Sequence, residues 1–214
     1  MRALSAAHSP LRGRRLGCIV VACAALLGAC GDSSSRFVVS KADRTYLKVP
    51  RDWTDRPYAD AEADPLEQIT SEVTMLWRSS AAPDGDAGVD VPLMTTAVYE
   101  VSGQLNQKMS ASLARIAGSP VPFDPVLPSD DTQKAQVEVL DYAPLGFKGL
   151  NGTRAVFRVR DDATSDWKAV YSVSTAFNLS TFRLYLLRVS CSAACYEANK
   201  DTISSVASSW LVKP

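Results

Sequence analysis

"TRAVFRVR", residues 153–160, alternates apolar Ala155, Phe157 and Val159 with charged Arg154, Arg158 and Arg160. A period of two is the mark of a half-buried strand, because successive side chains leave a strand on opposite faces. Residues 135–143 predict a strand before it, and Asn151-Gly152 between them predicts a tight turn. Beyond "DDATSD" come "WKAVYSVSTAF", residues 167–177, and, after "NLS", "TFRLYLLRVS", residues 181–190. Four such runs joined by short polar connections predict an antiparallel meander. One face is expected to collect Ala155, Phe157, Val159, Trp167, Ala169, Tyr171, Val173, Phe182, Leu184 and Leu186. The other is mixed, with Val156, Val170, Tyr185, Leu187 and Val189 among Arg154, Arg158, Arg160, Lys168 and Arg183.

The flanking segments supply helices for those two faces. "LMTTAVYEVS", residues 93–102, reads as a strand, and Leu105, Met109, Leu113 and Ile116 follow at helical spacing until Gly118 and Pro120 stop the helix. Near the end, Ile203, Val206, Ala207, Trp210 and Leu211 form an apolar stripe on a second helix. Apolar residues on both sheet faces and two helices to cover them predict one α+β domain with helices on either side of the sheet. "TYLKVPRDW", residues 45–53, reads as a short strand stopped by Pro50, with "EVTMLWRSS", residues 72–80, as its expected partner. "DPLEQITSEV" before that reads as a helix running into the strand. "SPVPFDPVLPSDD", residues 119–131, has four prolines and is expected to cross the surface as an extended connection.

The amino-terminal segment has a different character. Arg2, Arg12, Arg14 and Arg15 precede a nearly uncharged run from Leu16 to Ala29, the layout of a secretory signal and shorter than the ~20 residues of a membrane-spanning helix. Leu27-Gly28-Ala29-Cys30 resembles a bacterial lipobox, which implies cleavage before Cys30 and acylation of its thiol and new amino terminus, palmitate-type chains included. Two or more chains give a stable anchor in the cell membrane, where one gives only marginal binding. The expected organisation is a lipoprotein signal peptide over 1–29, a lipidated cysteine and tether over 30–36, and a single domain over 37–214. Arg14-Arg15 is also compatible with twin-arginine export.

Removal of residues 1–29 takes away four arginines and the only histidine, His8, and leaves a net charge of −4. A mildly acidic domain lacks the basic footprint of a nucleic-acid binder. Without histidine there is no Ser-His-Asp or Cys-His arrangement and no H-E-x-x-H zinc helix. The sequence also has no G-x-S-x-G elbow, P-loop or G-x-G-x-x-G. No cofactor and no metal are expected. Of five cysteines, Cys191 and Cys195 alone remain in the domain, and an even pair outside the cytoplasm predicts a disulfide.

Several patterns keep an enzymatic or metal-binding alternative open. Ser165-Asp166-Trp167-Lys168 matches S-x-x-K, with Ser165 as nucleophile and Lys168 as activator, although no K-T-G follows and "SDD", Ser129 to Asp131, only approximates S-D-N. Asp161 and Asp162 are a carboxylate pair of the kind used on glycans. Asp84, Asp86 and Asp90 offer oxygens to Ca²⁺, but Gly88 and Val89 break the EF-hand pattern, so an acidic surface turn is expected. The mixed sheet face gives the binding hypothesis: Arg154, Arg158 and Lys168, with Tyr185 beside them, would receive an anionic group or an acidic partner. The bland expectation for the same residues is that they pair with local carboxylates and cover the sheet with their stems.

"YLKVPRDW" (46–53), "TAVYEVSGQLNQKMSASLARI" (96–116), "LNGTRAVF" (150–157) and "ISSVASSWLVKP" (203–214) together resemble the PsbP-like α/β/α sandwich, which LpqN-type bacterial lipoproteins also use. The resemblance implies a non-enzymatic binding or assembly factor of the cell envelope, touching a protein or lipid partner. The alternatives are an envelope hydrolase with a carboxylate or Ser/Lys mechanism, and a lipid carrier.

Overall fold

Two antiparallel sheets organise the chain in the computed structural model, which describes residues 34–57, 72–84, 90–147, 149–161 and 166–213. The segment with Cys30, the expected helix before Val73, and Asp86, Asp162 and Ser165 lie outside the described residues. Strands β1 (Ser35–Ser40) and β2 (Thr45–Pro50) form a hairpin, and β3 (Trp53–Asp55), β4 (Val73–Pro83) and β5 (Leu93–Val101) begin the larger sheet. Helices α1 (Leu105–Lys108), α2 (Ala111–Gly118) and α3 (Asp131–Gln136) follow. Next come β6 (Val137–Phe147), β7 (Leu150–Arg160), β8 (Trp167–Asn178) and β9 (Arg183–Cys191), then α4 (Ala193–Ser208) and β10 (Leu211–Val212). The seven-stranded sheet runs β3-β4-β5-β9-β8-β7-β6, so the predicted meander is present, with β6 at its edge.

The period-two reading of the faces holds through the middle of the sheet. Ala155, Phe157 and Val173 form one apolar cluster, and Ala97, Tyr99, Phe177, Leu184 and Leu186 another with Ala114 and Ala117 of α2. Val156, Val170, Tyr185, Leu187 and Val189 belong to the opposite core, with Ile203, Val206 and Trp210 from the carboxyl-terminal segment. Helices thus cover both sides of the larger sheet, an α+β sandwich.

Four local expectations are corrected. The β6–β7 hairpin closes between Phe147 and Leu150, with Gly149 at φ 77°, whereas Asn151 and Gly152 sit in the ladder opposite Phe177 and Ala176. Gly149 supplies the positive φ that the turn needs. The continuous helix from Leu105 is two helices, because Met109 is extended and Ser110 starts a new one by accepting a hydrogen bond from Leu113 N at 3.2 Å. Trp167 leaves the Ala155 face: a bulge pairs Val159 with Ala169 and Arg160 with Trp167, so the indole joins the arginines. Phe182 is a turn residue at φ 53°, half-exposed rather than buried.

The three-stranded sheet, order β1-β2-β10, replaces the expected pairing of residues 45–53 with 72–80. Only Trp53 to Asp55 reach β4, as β3. Ser35 and Arg36, expected in the tether, begin β1, where Arg36 Nε donates to Trp53 O at 2.8 Å. The last helix ends at Ser208, so Trp210 is buried beyond it and Leu211 is exposed in β10. The proline-rich connection is bound rather than merely crossing: Phe123 is buried, and Asp124 forms a buried ion pair with Arg115 of α2 through contacts of 2.8 and 2.5 Å.

Candidate functional site

Helix α4 packs on β8, β9 and β2 and leaves the β6 end of the sheet open. Between helix and strands runs a groove of about 480 Å³, with Val156 and Ser172 at its floor and Leu140, Asp141, Arg154 and Tyr196 among its walls. Its β6 wall depends on a bulge: Val139 pairs with Phe157 and Asp141 with Val156, leaving Leu140 as the extra residue. A regular strand sends neighbours to opposite faces, whereas the bulge lets both Leu140 and Asp141 line the groove.

Arg154 sits on β7 with Nη2 3.2 Å from Asp141 Oδ2 and Nη1 3.5 Å from Ser208 Oγ. Its Nε is buried without an acceptor, so the guanidinium keeps a donor in the groove wall. Arg158 lies four residues along the strand, beyond Val156 on the same face, gripping Glu138 Oε2 from Nε at 3.1 Å and Nη2 at 2.7 Å. Its guanidinium also lies 4.1 Å from the Trp167 ring centre, with Arg160 at 4.5 Å on the same ring. Exposed pairs of this kind contribute about 0–1 kcal/mol, little enough for a partner's groups to replace them. Burial pushes the Tyr196 hydroxyl above its ordinary value, and the charges of Glu197 and Asp141 push the same way. Tyr196 therefore presents a neutral hydroxyl at physiological pH.

The expected basic cluster is only partly assembled. Arg154 and Arg158 share the β6–β7 ladder, each paired with a β6 carboxylate. Lys168 is exposed, the extra residue of the Trp167 bulge. Tyr185 is buried two strands away, beside Arg183 and Asp43, with its hydroxyl raised above 10.0 chiefly by burial. Cys191 and Cys195 are disulfide-bonded, their Cα atoms 5.8 Å apart, tying the end of β9 to the first turn of α4.

The patterns that suggested chemistry have structural partners where they are described. Asp130 caps α3 by accepting from Gln133 N at 2.9 Å, and Gln133 Oε1 accepts from Ser129 N at 2.8 Å, so "SDD" opens a helix. Asp84 accepts from Thr54 Oγ1 at 3.4 Å and Asp90 from Ser192 Oγ at 2.9 Å, on separate partners. Asp161 N donates to Asp166 O at 2.8 Å, closing the β7–β8 loop. Among the described residues no three of His, Cys, Asp and Glu converge, and no helix is long and apolar enough to cross a membrane.

Sequence reasoning missed Leu140, Tyr196 and Lys200 in the groove. The signal for the last two was the spacing of Tyr196, Lys200, Ser204 and Ala207, which places a second stripe beside the buried one on α4. Leu140 had no such signal, because a bulge is not written in a period-two pattern.

No family model matches the chain, and no curated protein matches it in sequence. Among solved structures, cyanobacterial PsbP (CyanoP) from Synechocystis sp. PCC 6803 superposes with a TM-score of 0.52 at 14% identity, over 87% of this chain and 96% of that one. LpqN, involved in cell envelope biogenesis of Mycobacterium tuberculosis, gives 0.48 at 12% identity, over 86% and 94%. The Saccharomyces cerevisiae Ran-binding protein Mog1p gives 0.44 at 8%, over 83% and 95%. The chain has the PsbP-like fold that its element order suggested. At these identities the likeness reaches the fold alone.

Proposed function

We propose that this chain is a lipid-anchored, non-enzymatic accessory factor of the cell envelope, held by Cys30 and docking a polypeptide partner in the groove between α4 and β6. The observation that carries the reading is the groove wall itself. Leu140 is 42% exposed in the groove that Val156 and Ile203 also line, and Asp141, Arg154 and Lys200 set charges of both signs around these apolar side chains. An apolar centre inside a mixed charged rim is the composition of a protein-docking patch. The Leu140 bulge and Pro144 hinder strand addition along the β6 edge, so recognition runs through side chains in the groove rather than through a new sheet strand.

The amino-terminal pattern supports the anchor, and the absence of histidine after residue 8 supports the non-enzymatic reading. In-cell photocrosslinking from a reactive residue at Leu140, with Lys48 as a control position, tests the docking claim. A single reproducible protein captured from Leu140 and not from Lys48 is expected. Crosslinks to phospholipid alone would replace this reading with a lipid carrier.

A further inference from the structure

A second cavity, of about 320 Å³, opens where the β1–β2 turn, the β8–β9 turn and Lys213 meet. Arg44, Arg183 and Lys213 line it with three cations, against the single carboxylate of Asp43. The centre of the site is fixed. Asp43, 5% exposed, accepts from Ser40 Oγ at 2.7 Å and pairs with Arg183 Nη1 at 3.1 Å. The buried Tyr185 hydroxyl hydrogen-bonds the same guanidinium. Arg183 is therefore held from two sides, while Arg44 and Lys213 are exposed at the mouth, joined by a backbone hydrogen bond from Lys213 N to Arg44 O at 3.0 Å.

The backbone supplies an independent observation. Among the described residues, Arg44 and Phe182 are the non-glycine residues with positive φ, 53° each. Each ends a four-residue hairpin loop, since Ser40 pairs with Thr45 and Asn178 with Arg183. Glycine takes that conformation without the steric penalty that a Cβ brings. Both turns bordering this cavity thus carry a side chain where glycine would be less strained, which is the pattern of strain retained at a site of contact.

We propose that this cavity is an oxyanion site that takes a phosphate group, with Arg183 as the preorganised donor and Arg44 and Lys213 closing on the remaining oxygens. A net lining charge of two positive matches a phosphate monoester dianion, and guanidinium donors suit its geometry. β1 carries the site about 17–20 Å from the Ser34 end of the domain. The site reads the phosphate group itself, whether a soluble ligand or a lipid headgroup carries it.

The test uses the full chain in phosphatidylcholine nanodiscs, titrated with inorganic phosphate at constant ionic strength against chloride and followed by calorimetry. Saturable binding is expected, weakened about ten-fold or more in Arg44→Gly and in Lys213→Ala, as for loss of a charge-assisted hydrogen bond. Arg44→Gly should melt no lower than the parent protein, because glycine relieves the positive φ, so loss of binding there is not loss of fold. Binding seen only when phosphatidic acid is added to the discs, and lost in Arg44→Gly, would support the site and assign the phosphate to lipid. No saturable binding in either disc, or binding by both variants as tight as by the parent protein, would overturn the proposal.

Discussion

Trp210 Nε1 donates a hydrogen bond to Thr45 Oγ1 at 3.1 Å, joining residues 165 positions apart inside the core. The same indole meets the Phe147 ring edge-on, with centroids 5.5 Å apart, so one side chain links β2, the β6–β7 hairpin and the carboxyl-terminal segment. Thr45→Val keeps the shape and removes the acceptor, leaving a buried indole N–H without a partner. The expected loss is about 1–3 kcal/mol, measured by urea unfolding. An unchanged midpoint would show that this link is not used.

Gly118 marks the place where α2 lies directly on the sheet. A Cβ there would stand 2.5 Å from Val173 Cγ1. Gly118→Ala is expected to lower stability by about 1–3 kcal/mol despite the better helix propensity of alanine, because the core beneath is already full. Restoration by Gly118→Ala with Val173→Ala would identify the clash as the cause.

Asp124 gives the protein an acid-sensitive joint. Burial alone would raise its carboxyl, but hydrogen bonds from Arg115, Ser112 and the Val126 amide, with the Arg115 charge, hold it below its ordinary value of 3.8. A group depressed in the folded state stabilises fully above its unfolded value, and that stability is lost as pH falls through the folded one. Asp124→Asn should therefore cost about 3–5 kcal/mol at pH 7, by leaving the Arg115 charge buried. The gap between variant and parent should narrow below about pH 4, as read from urea midpoints across pH.

The Cys191–Cys195 bridge closes a very short loop between β9 and α4. Replacing both cysteines by alanine is expected to lower stability by about 2 kcal/mol on the chain-entropy account. The α4 amino terminus should still form, since Ser192 Oγ accepts from Cys195 N independently of the sulfurs. Circular dichroism of the double variant tests the second point, and thermal unfolding the first.

The meander was legible because each of its strands is long, alternates cleanly and pairs with a sequence neighbour. The three-stranded sheet was not, because β10 is two residues long and its partner β2 lies at the other end of the domain. Local pattern carries no information about such a pairing. The break at Met109 was hidden by apolar residues that keep helical spacing across it, although Ser110 carried the capping signal. Arg154 and Arg158 were placed on the correct face, yet Trp167 was not and Leu140 was not singled out, since a single inserted residue reverses the alternation on which the reading rests. Tyr185 shares that face but not that neighbourhood, a distinction that only strand order makes.

The most direct test of the docking claim is the yield of the Leu140 crosslink in cells for the parent protein, for Arg154→Glu and for the milder Arg154→Gln, each checked for an unchanged melting temperature. Loss of the Asp141 pairing and of the remaining guanidinium donor should cut capture of the protein partner about ten-fold in Arg154→Glu, and by a smaller factor in Arg154→Gln. Equal capture by all three folded proteins would contradict the account.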